Sequence, residues 1–298
     1  MPELQKSPKL LPLTNDAVFK LYFTREENRP QLRQFLKAAT HLIDDDLETM
    51  EIKNPTLTKE QVQDKDFIVD IHLTSKTGHK VIIELQVQKH SNFIERVTSY
   101  NARSYSSQLK RGEFYDQLKE TISVIIVDFP MFDDTQDYYE HILFRRKNGK
   151  SFTNAQQFYI IDLTKLPATI TKPLHRWGKL IGAKTMEEIE MLSNQDEEMK
   201  KASENLIKLS ADDDAQFLAE HREYCKWAAE RELHAREQLG RTEGRAEGRA
   251  EERAIAEAEK IEIAKKFLKM GLTLDQVVAG TDLSIQEVEK IASAVPLN

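Results

Sequence analysis

The chain has 298 residues, of which 40% are hydrophobic and 31% are charged, and its formal net charge is −7. This length and composition are typical of a soluble globular protein with one sizeable domain and an appendage, or with two small domains. The acidic balance excludes a protein coated in basic surface, but it permits a local phosphate-binding groove, because a metal ion can supply positive charge.

The cysteine content and the hydropathy of the chain further limit the class of protein. Cys225 is the single cysteine, which excludes an intramolecular disulfide and a cysteine-based zinc site. The first residues contain no apolar signal region, and no stretch approaches the ~18 apolar residues of a membrane helix. We therefore expect neither export nor membrane insertion, and we predict a cytoplasmic location.

Two helices are predicted at the start of the chain. The residues Thr14-Asn15-Asp16 are typical of a helix cap and precede an apolar run, so a short helix is predicted from Asp16. A second helix is predicted from about Arg29, with Pro30 in its first turn, to Ala39.

Two amphipathic strands are predicted next, over residues 67–73 and 80–88. The odd-numbered residues of both runs are apolar. Because side chains alternate between the two faces of a strand, Asp70 and Glu84 belong to the opposite face. The short polar connection predicts a tight turn, and hence an antiparallel hairpin that brings these two carboxylates together.

Asp70 and Glu84 are candidate ligands of a divalent metal. Mg²⁺ prefers carboxylate oxygens, and it can polarise a phosphodiester and activate the attacking water. The main-chain carbonyl of Leu85 is a candidate third ligand, and Gln86, on the face of Glu84, is a candidate for orienting the nucleophile. Acid-bearing strand pairs are common, so the alternative interpretation is the solvent-facing polar side of an amphipathic hairpin.

The remaining core elements are a helix over residues 92–118, a buried strand over 122–129, and strands over 141–145 and 158–163. The order is helix, helix, strand, strand, long helix, strand, strand, strand. This order predicts an α/β core with a mixed sheet, and the chain becomes helical after about residue 165.

A charged, proline-free segment extends from about residue 193 to 260. It contains three consecutive four-residue repeats, Gly-Arg-(Thr or Ala)-Glu, over residues 240–251. On a helix this period places Gly, Arg and Glu on separate, slowly drifting ridges. Two interpretations remain open: self-association, with the Gly ridge allowing close approach and Arg facing Glu, or a solvated linker.

The last segment predicts a small helical module. Thr273 and Ser284 each begin a capping-box pattern. The module is similar to a helix-turn-helix, but its second helix has two acids and one base over residues 285–290, so we expect packing or partner binding rather than sequence readout. The predicted core residues are Ile263, Phe267, Leu268, Leu272, Leu274, Val277, Val278, Leu283, Ile285, Val288 and Ile291. The predicted domain limits are 1–190 for the core domain, 191–260 for the charged helical linker or self-association segment, and 261–298 for the module.

Several motifs follow one another in a specific order. They are Thr14-Asn15-Asp16-x-x-Phe19-Lys20-x-x-Phe23, Asp70, Glu84-Leu85-Gln86, Arg96-x-x-x-Tyr100, Gln108 and Gly112-x-x-Tyr115. This series resembles the Rpn family of recombination-promoting nucleases and transposase-like proteins, in the PD-(D/E)XK, or restriction-endonuclease-like, superfamily. The resemblance covers roughly residues 10–230, and the charged repeat with its C-terminal module looks like the tails found in that family.

The resemblance implies a restriction-endonuclease-like mixed sheet flanked by helices and a Mg²⁺-dependent DNA endonuclease, with Asp70 and Glu84 as metal ligands. It also implies that Asp16, the acidic residue contributed by the N-terminal helix, is catalytic together with Asp70, Glu84 and Gln86. Lys20, one helical turn later, is a candidate phosphate contact or, alternatively, a solvated helix lysine. Gln86 occupies the position where the superfamily usually has a lysine, which removes a positive charge from the site.

The helix after the second strand is placed to follow a DNA backbone. The candidate DNA contacts are Lys20, Arg96, Tyr100, Arg103 and Gln108. We predict a homodimer that acts on DNA in recombination, mobile-element biology or defence. The alternative is a catalytically weak or inactive nuclease fold that binds DNA or, through the C-terminal module, a protein partner.

Overall fold

The computed structural model describes residues 9–53 and 71–294. Asp70 and the first part of the predicted 67–73 strand lie outside the described residues. The described chain forms two compact units, the first ending at Trp227 and the second beginning at Ala228. The predicted domain limits 1–190, 191–260 and 261–298 remain a prediction.

The helices and strands of the first unit follow the predicted order, with two short additions, α3 and β1. The helices are α1 (Asp16–Thr24), α2 (Arg29–Ala39), α3 (Asp44–Glu48), α4 (Phe93–Ser106), α5 (Pro173–Gly182), α6 (Met186–Ser193), α7 (Glu197–Ser210) and α8 (Asp213–Lys269), which continues into the second unit. The strands are β1 (Glu51–Ile52), β2 (Ile71–Thr74), β3 (Lys80–Gln86), β4 (Thr121–Val127), β5 (Tyr139–Arg145) and β6 (Ser151–Asp162).

The six described strands form one mixed sheet in the order β1-β2-β3-β4-β6-β5. Strands β2 and β3 form the predicted antiparallel hairpin, in which Ile71 pairs with Ile83. Strand β4 is parallel to both of its neighbours, β3 and β6, whereas β5 pairs antiparallel with β6. Together with the flanking helices, this sheet confirms the predicted α/β fold class.

Helices cover both faces of the sheet. Side chains of β3 and β4 such as Ile83 and Val124 belong to the main core, together with residues of α1, α2 and α5 to α7. On the other face Phe93 and Val97 of α4 pack with Ile125 and its neighbours in a second apolar cluster. All seven residues of β4 are buried, as expected for a central strand covered on both sides.

The helix predicted over residues 92–118 is shorter than expected, because α4 ends at Ser106. Beyond it, Gln108 uses both ends of its amide to bind the chain before β4: Nε2 donates to the carbonyl of Lys119 over 2.8 Å, and Oε1 accepts from the Lys119 amide over 2.9 Å. Gly112 then has a positive φ of 93°, a conformation that favours glycine and is incompatible with helix.

The second unit contains the end of α8, α9 (Leu274–Thr281) and α10 (Ile285–Ala294). Both predicted capping boxes form, with Thr273 capping α9 and Ser284 capping α10. Eight of the eleven predicted core residues pack in or against the unit's apolar cluster. The other three, Ile263, Leu274 and Ile285, are at least 36% exposed, so their assignment to the core is wrong. No helix of the described residues is long and apolar enough to cross a membrane.

Candidate active site

Glu84 is a buried carboxylate in β3. Only 4% of the residue is exposed. Its register partner on β4, Ile125, belongs to the apolar cluster beneath α4, so Glu84 lies on the face that α4 covers. The interpretation of this hairpin as a solvent-facing polar side is therefore wrong at Glu84. Because burial of a charge is costly unless the charge is paired, the surroundings of Glu84 must compensate it.

Arg96 provides that compensation from the first turn of α4. Its Nη2 donates to Oε1 of Glu84 over 2.8 Å and to Oε1 of Gln86 over 2.7 Å. The guanidinium also lies 5.3 Å from the ring centre of Phe93, which supports its orientation. A positive charge is thus present beside Gln86, at the position where the resemblance leads one to expect a lysine.

Gln86 is held in one orientation by two hydrogen bonds. Its Nε2 donates to the carbonyl of Gln88 over 2.9 Å, while its Oε1 accepts from Arg96. Leu85, between Glu84 and Gln86, directs its side chain into the main core on the opposite face of the sheet. The predicted role of Leu85 concerns its main-chain carbonyl, which does not depend on that side chain.

Lys20 is also buried, with 2% of the residue exposed. It lies on α1, which packs against β3. The interpretation as a solvated helix lysine is therefore wrong. A contact between Lys20 and phosphate remains a prediction.

Asp16, at the start of α1, binds two cations of α8. Its carboxylate accepts hydrogen bonds from Nε of Arg222 at 3.2 and 3.1 Å and from Nη2 of Arg222 at 2.9 Å. Nζ of Lys226 lies 3.1 Å from the same carboxylate. Burial alone would raise the pKa of Asp16, but the hydrogen bond from Arg222 and the charges of Lys226 and Arg222 outweigh it and lower the pKa below its ordinary value of 3.8.

Asn15 strengthens the attachment of α1 to α8. Its Nδ2 donates to the carbonyl of Ala219 over 3.2 Å and to Oε1 of Glu223 over 2.9 Å, while its Oδ1 caps α1. Asp16 is thus part of a docking contact between the two helices. Sequence reasoning missed Arg222 and Lys226, because no local pattern connects residues about 206 positions apart.

A cleft of about 500 Å³ lies between α4 and the β2–β3 hairpin. We call it the basic cleft, because its lining includes Lys53, His72, Lys80 and Arg103 and no acidic residue among those described. Tyr100, another predicted DNA contact, also lines it, whereas Lys53 and Lys80 were not predicted to bind DNA. Nζ of Lys80 donates to the carbonyl of Ser104 over 3.4 Å, and partial burial lowers the pKa of Lys80.

The basic cleft leads toward Glu84. Ile82 lines the cleft, and Glu84 is the next residue on the same face of β3. An anionic chain in the cleft could therefore extend to the carboxylate. Arg96, Tyr100 and Arg103 are spaced by four and three residues on α4, which places them on one side of that helix. Three of the five predicted DNA contacts thus share one side of α4, where Arg96 binds Glu84 and Tyr100 and Arg103 line the basic cleft.

A Mg²⁺ ion at Glu84 would require hard oxygen donors around it. Within residues 9–53 and 71–294, no three His, Cys, Asp or Glu side chains form a cluster suited to a metal. Glu84 nevertheless supplies a buried carboxylate, followed directly by the Leu85 carbonyl, and both are hard oxygen donors. This part of the predicted ligand set fits Mg²⁺, and Asp70, the remaining ligand, lies outside the described residues.

The chain matches a known protein-family model. The model described as PD-(D/E)XK nuclease family transposase matches residues 13–236, which include α1, the whole described sheet and the first part of α8. No curated protein and no solved structure matches the chain.

Proposed function

Since the chain belongs to the PD-(D/E)XK nuclease family transposases, we propose that it is a Mg²⁺-dependent DNA endonuclease. The observation that carries the proposal is the placement of a buried carboxylate, Glu84, beside a guanidinium and two residues along β3 from Ile82, which lines the basic cleft. Phosphodiester hydrolysis needs both an acid that holds a metal and cations that hold the substrate.

Glu84, the carbonyl of Leu85 and Asp70 are the proposed metal-holding groups. When bound, Mg²⁺ supplies a Lewis acid for the phosphate and favours ionisation of the attacking water. Asp70 enters this proposal through its sequence position, directly before Ile71, whose strand partner Ile83 adjoins Glu84.

Arg96 and Gln86 act on the reacting groups in this proposal. As water attacks phosphorus and the leaving oxygen departs, negative charge grows on the phosphoryl oxygens, and the Arg96 guanidinium is placed to donate hydrogen bonds to them. The Gln86 amide, already held by Arg96, orients the attacking water. Arg96 thereby supplies the positive charge that a lysine at position 86 would have supplied.

The basic cleft is the proposed path of the DNA backbone. Lys53, Lys80 and Arg103 provide charge for phosphates, and Tyr100 provides an aromatic surface. Protein cations that neutralise phosphates release counterions, so binding is expected to weaken steeply as salt rises. The predicted homodimer, the link to recombination, mobile elements or defence, and the partner of the C-terminal module remain predictions.

The second candidate function is DNA binding without cleavage. Two observations favour it: position 86 is Gln rather than Lys, and Arg96 occupies one oxygen of Glu84. In such a protein the basic cleft would still bind DNA, but Glu84 would serve only to hold α4 against β3.

A plasmid assay separates the two functions. Supercoiled plasmid is incubated with Mg²⁺ and the wild type, Asp70→Ala, Glu84→Gln or Glu95→Gln. Glu95 is an exposed acid on α4 next to Arg96, so Glu95→Gln is a matched control. We expect the wild type and the control to convert the plasmid to nicked or linear forms, and both site variants to be slower by about 100-fold or more.

Circular dichroism establishes that each variant is folded before its rate is compared. Equal cleavage by Glu84→Gln and the wild type refutes the assignment of the site. A wild type that binds DNA tightly but leaves the plasmid supercoiled supports the second candidate function.

A further inference from the structure

Strands β5 and β6 extend beyond the rest of the sheet as a two-stranded ribbon. Strand β6 begins at Ser151, but it pairs with β4 only from Gln156 onward. The residues before Gln156 therefore pair only within the hairpin, and β5 forms the edge of the sheet. We call residues 142–155 the distal ribbon.

The distal ribbon is strongly basic in an acidic protein. Arg145, Arg146, Lys147 and Lys150 are all exposed, and no Asp or Glu occurs from residue 141 to 161. No carboxylate of the described residues forms a salt bridge with these four side chains. Their charge is consequently directed to solvent or to a partner.

Exposed aromatic rings accompany these cations. Phe152 is 75% exposed and Phe144 is 43% exposed. Neither residue belongs to an apolar cluster of the described chain. Cations combined with exposed rings are typical of surfaces that bind nucleic acid, since the cations neutralise phosphates and the rings contact bases or sugars.

Protection of an edge strand is the simpler explanation of the charge. Charged side chains at a sheet edge prevent edge-to-edge association of two molecules. Charge of either sign prevents such association, whereas exposed phenyl rings at the same edge favour it. The one-sided charge together with Phe152 therefore favours a binding surface.

The register of the sheet places the distal ribbon at the same end as the basic cleft. Lys80, which lines the cleft, pairs with Thr121, and Thr121 pairs with Gln156 at the base of the ribbon. Two strand spacings separate Lys80 from Gln156, which amounts to about 10 Å. One nucleic acid can therefore contact both surfaces.

We propose that the distal ribbon binds duplex DNA beside the basic cleft, with its four cations on backbone phosphates and Phe152 in the groove. A two-stranded ribbon fits the major groove of B-DNA, which is about 12 Å wide. The choice of DNA as the ligand rests on the proposed function, but binding by the distal ribbon does not require that the protein cleaves DNA. It assigns a second DNA-binding element on the opposite side of β4 from β3.

The test measures binding of a fluorescent DNA duplex to the full chain by anisotropy, without Mg²⁺, over a series of salt concentrations. The ribbon variant is Arg146→Gln/Lys147→Gln/Lys150→Gln. The control is Lys200→Gln/Lys201→Gln/Lys208→Gln on α7, which removes the same charge from three exposed lysines far along the chain. A second variant, Phe152→Ala, removes the exposed ring and keeps the charge.

We expect the ribbon variant to bind about 10- to 100-fold more weakly than the wild type, and the slope of log K against log salt to fall in magnitude by about 2 to 3. The control should bind within about twofold of the wild type. Phe152→Ala should bind several-fold more weakly with an unchanged salt slope, because it removes no phosphate contact.

Equal affinities of the ribbon variant and the control overturn the proposal. So does a wild type that does not bind duplex DNA, or a Phe152→Ala variant that changes the oligomeric state in sedimentation without changing DNA affinity. If the wild type binds DNA through the ribbon but does not cleave it, the endonuclease proposal fails while the ribbon proposal stands.

Discussion

Asp16, whose side chain is 13% exposed, and Glu84, which is buried, are two carboxylates that the sequence assigns to one site, yet their surroundings differ. Asp16 is bound by two cations, Arg222 and Lys226, both from α8. Glu84 accepts a hydrogen bond from the guanidinium of Arg96, which also donates to the neutral Gln86. The carboxylate of Asp16 lies at a junction of two helices, whereas Glu84 lies two residues along β3 from Ile82, which lines the basic cleft.

This difference in surroundings indicates that the two carboxylates have different roles. The contacts of Asp16 carry one more positive than negative charge, so a divalent cation is repelled there. At Glu84 one carboxylate oxygen accepts from Arg96, which also donates to the neutral Gln86, and the carbonyl of Leu85 offers a further oxygen. We infer that Asp16 chiefly joins α1 to α8 and that Glu84 is the better candidate for holding a metal.

The largest expected effect on stability comes from Asp16→Asn. This change leaves Arg222 buried beside a neutral amide, and removal of one partner from a buried ion pair costs about 3 kcal/mol. Urea unfolding near neutral pH measures the difference from the wild type. Glu95→Gln, which changes an exposed acid, should alter the unfolding free energy by less than about 0.5 kcal/mol.

The cleavage activity of Asp16→Asn tests whether Asp16 also takes part in catalysis. At a temperature where the variant is fully folded, we expect its plasmid cleavage to stay within about tenfold of the wild type, because the substitution acts through docking of α1. A loss of cleavage rate of about 100-fold or more in the folded variant would show that Asp16 is catalytic. It would contradict the inference that Asp16 chiefly joins α1 to α8.

The stabilisation due to Asp16 should also depend on pH. The pKa of Asp16 in the folded state is below its ordinary value of 3.8, so the folded state holds the ionised form more strongly than the unfolded state does. The contribution is therefore complete above that value and is lost as the pH falls through the folded-state pKa.

Unfolding free energies of the wild type and Asp16→Asn test this dependence. Their difference should be constant from about pH 7 to 5 and should shrink as the pH falls below about 4. A difference that does not change over this range would show that the carboxylate charge is irrelevant to docking.

The smallest expected effect comes from Gln86→Lys, which introduces the residue usual in the superfamily. Because Arg96 donates to Gln86 over 2.7 Å, an ammonium at position 86 meets a guanidinium already in place. We therefore expect the initial rate of plasmid cleavage to change by less than about threefold. A tenfold gain in rate would show that Arg96 does not replace the missing lysine.

Local sequence patterns predicted most of the helices and strands, because helix caps and alternating strand faces depend on residues that are close in the sequence. The cap at Asn15, the alternation in β3 and the capping box at Thr273 all appear where the sequence indicates. The prediction failed at the end of α4, where the Gln108 amide binds Lys119 and Gly112 has a positive φ. These contacts join residues whose proximity no helical period reveals.

The electrostatics of the site could not be predicted in the same way. The residue types at Glu84 and Arg96 marked them as functional candidates, but the prediction placed Arg96 on DNA rather than on Glu84. The burial of Lys20 follows from the packing of α1 on the sheet, and the cations of Asp16 come from a helix about 200 positions away. Such properties depend on tertiary packing, which one sequence does not display.

Titration calorimetry with Mg²⁺ tests the central claim, that Glu84 rather than Asp16 holds the metal, most directly. The wild type, Glu84→Gln and Asp16→Asn are titrated at a temperature where all three are folded. We expect Glu84→Gln to weaken Mg²⁺ binding by at least about tenfold, since it removes a charged oxygen ligand, and Asp16→Asn to leave it within about twofold. Unchanged binding by Glu84→Gln, or a loss confined to Asp16→Asn, would contradict the claim.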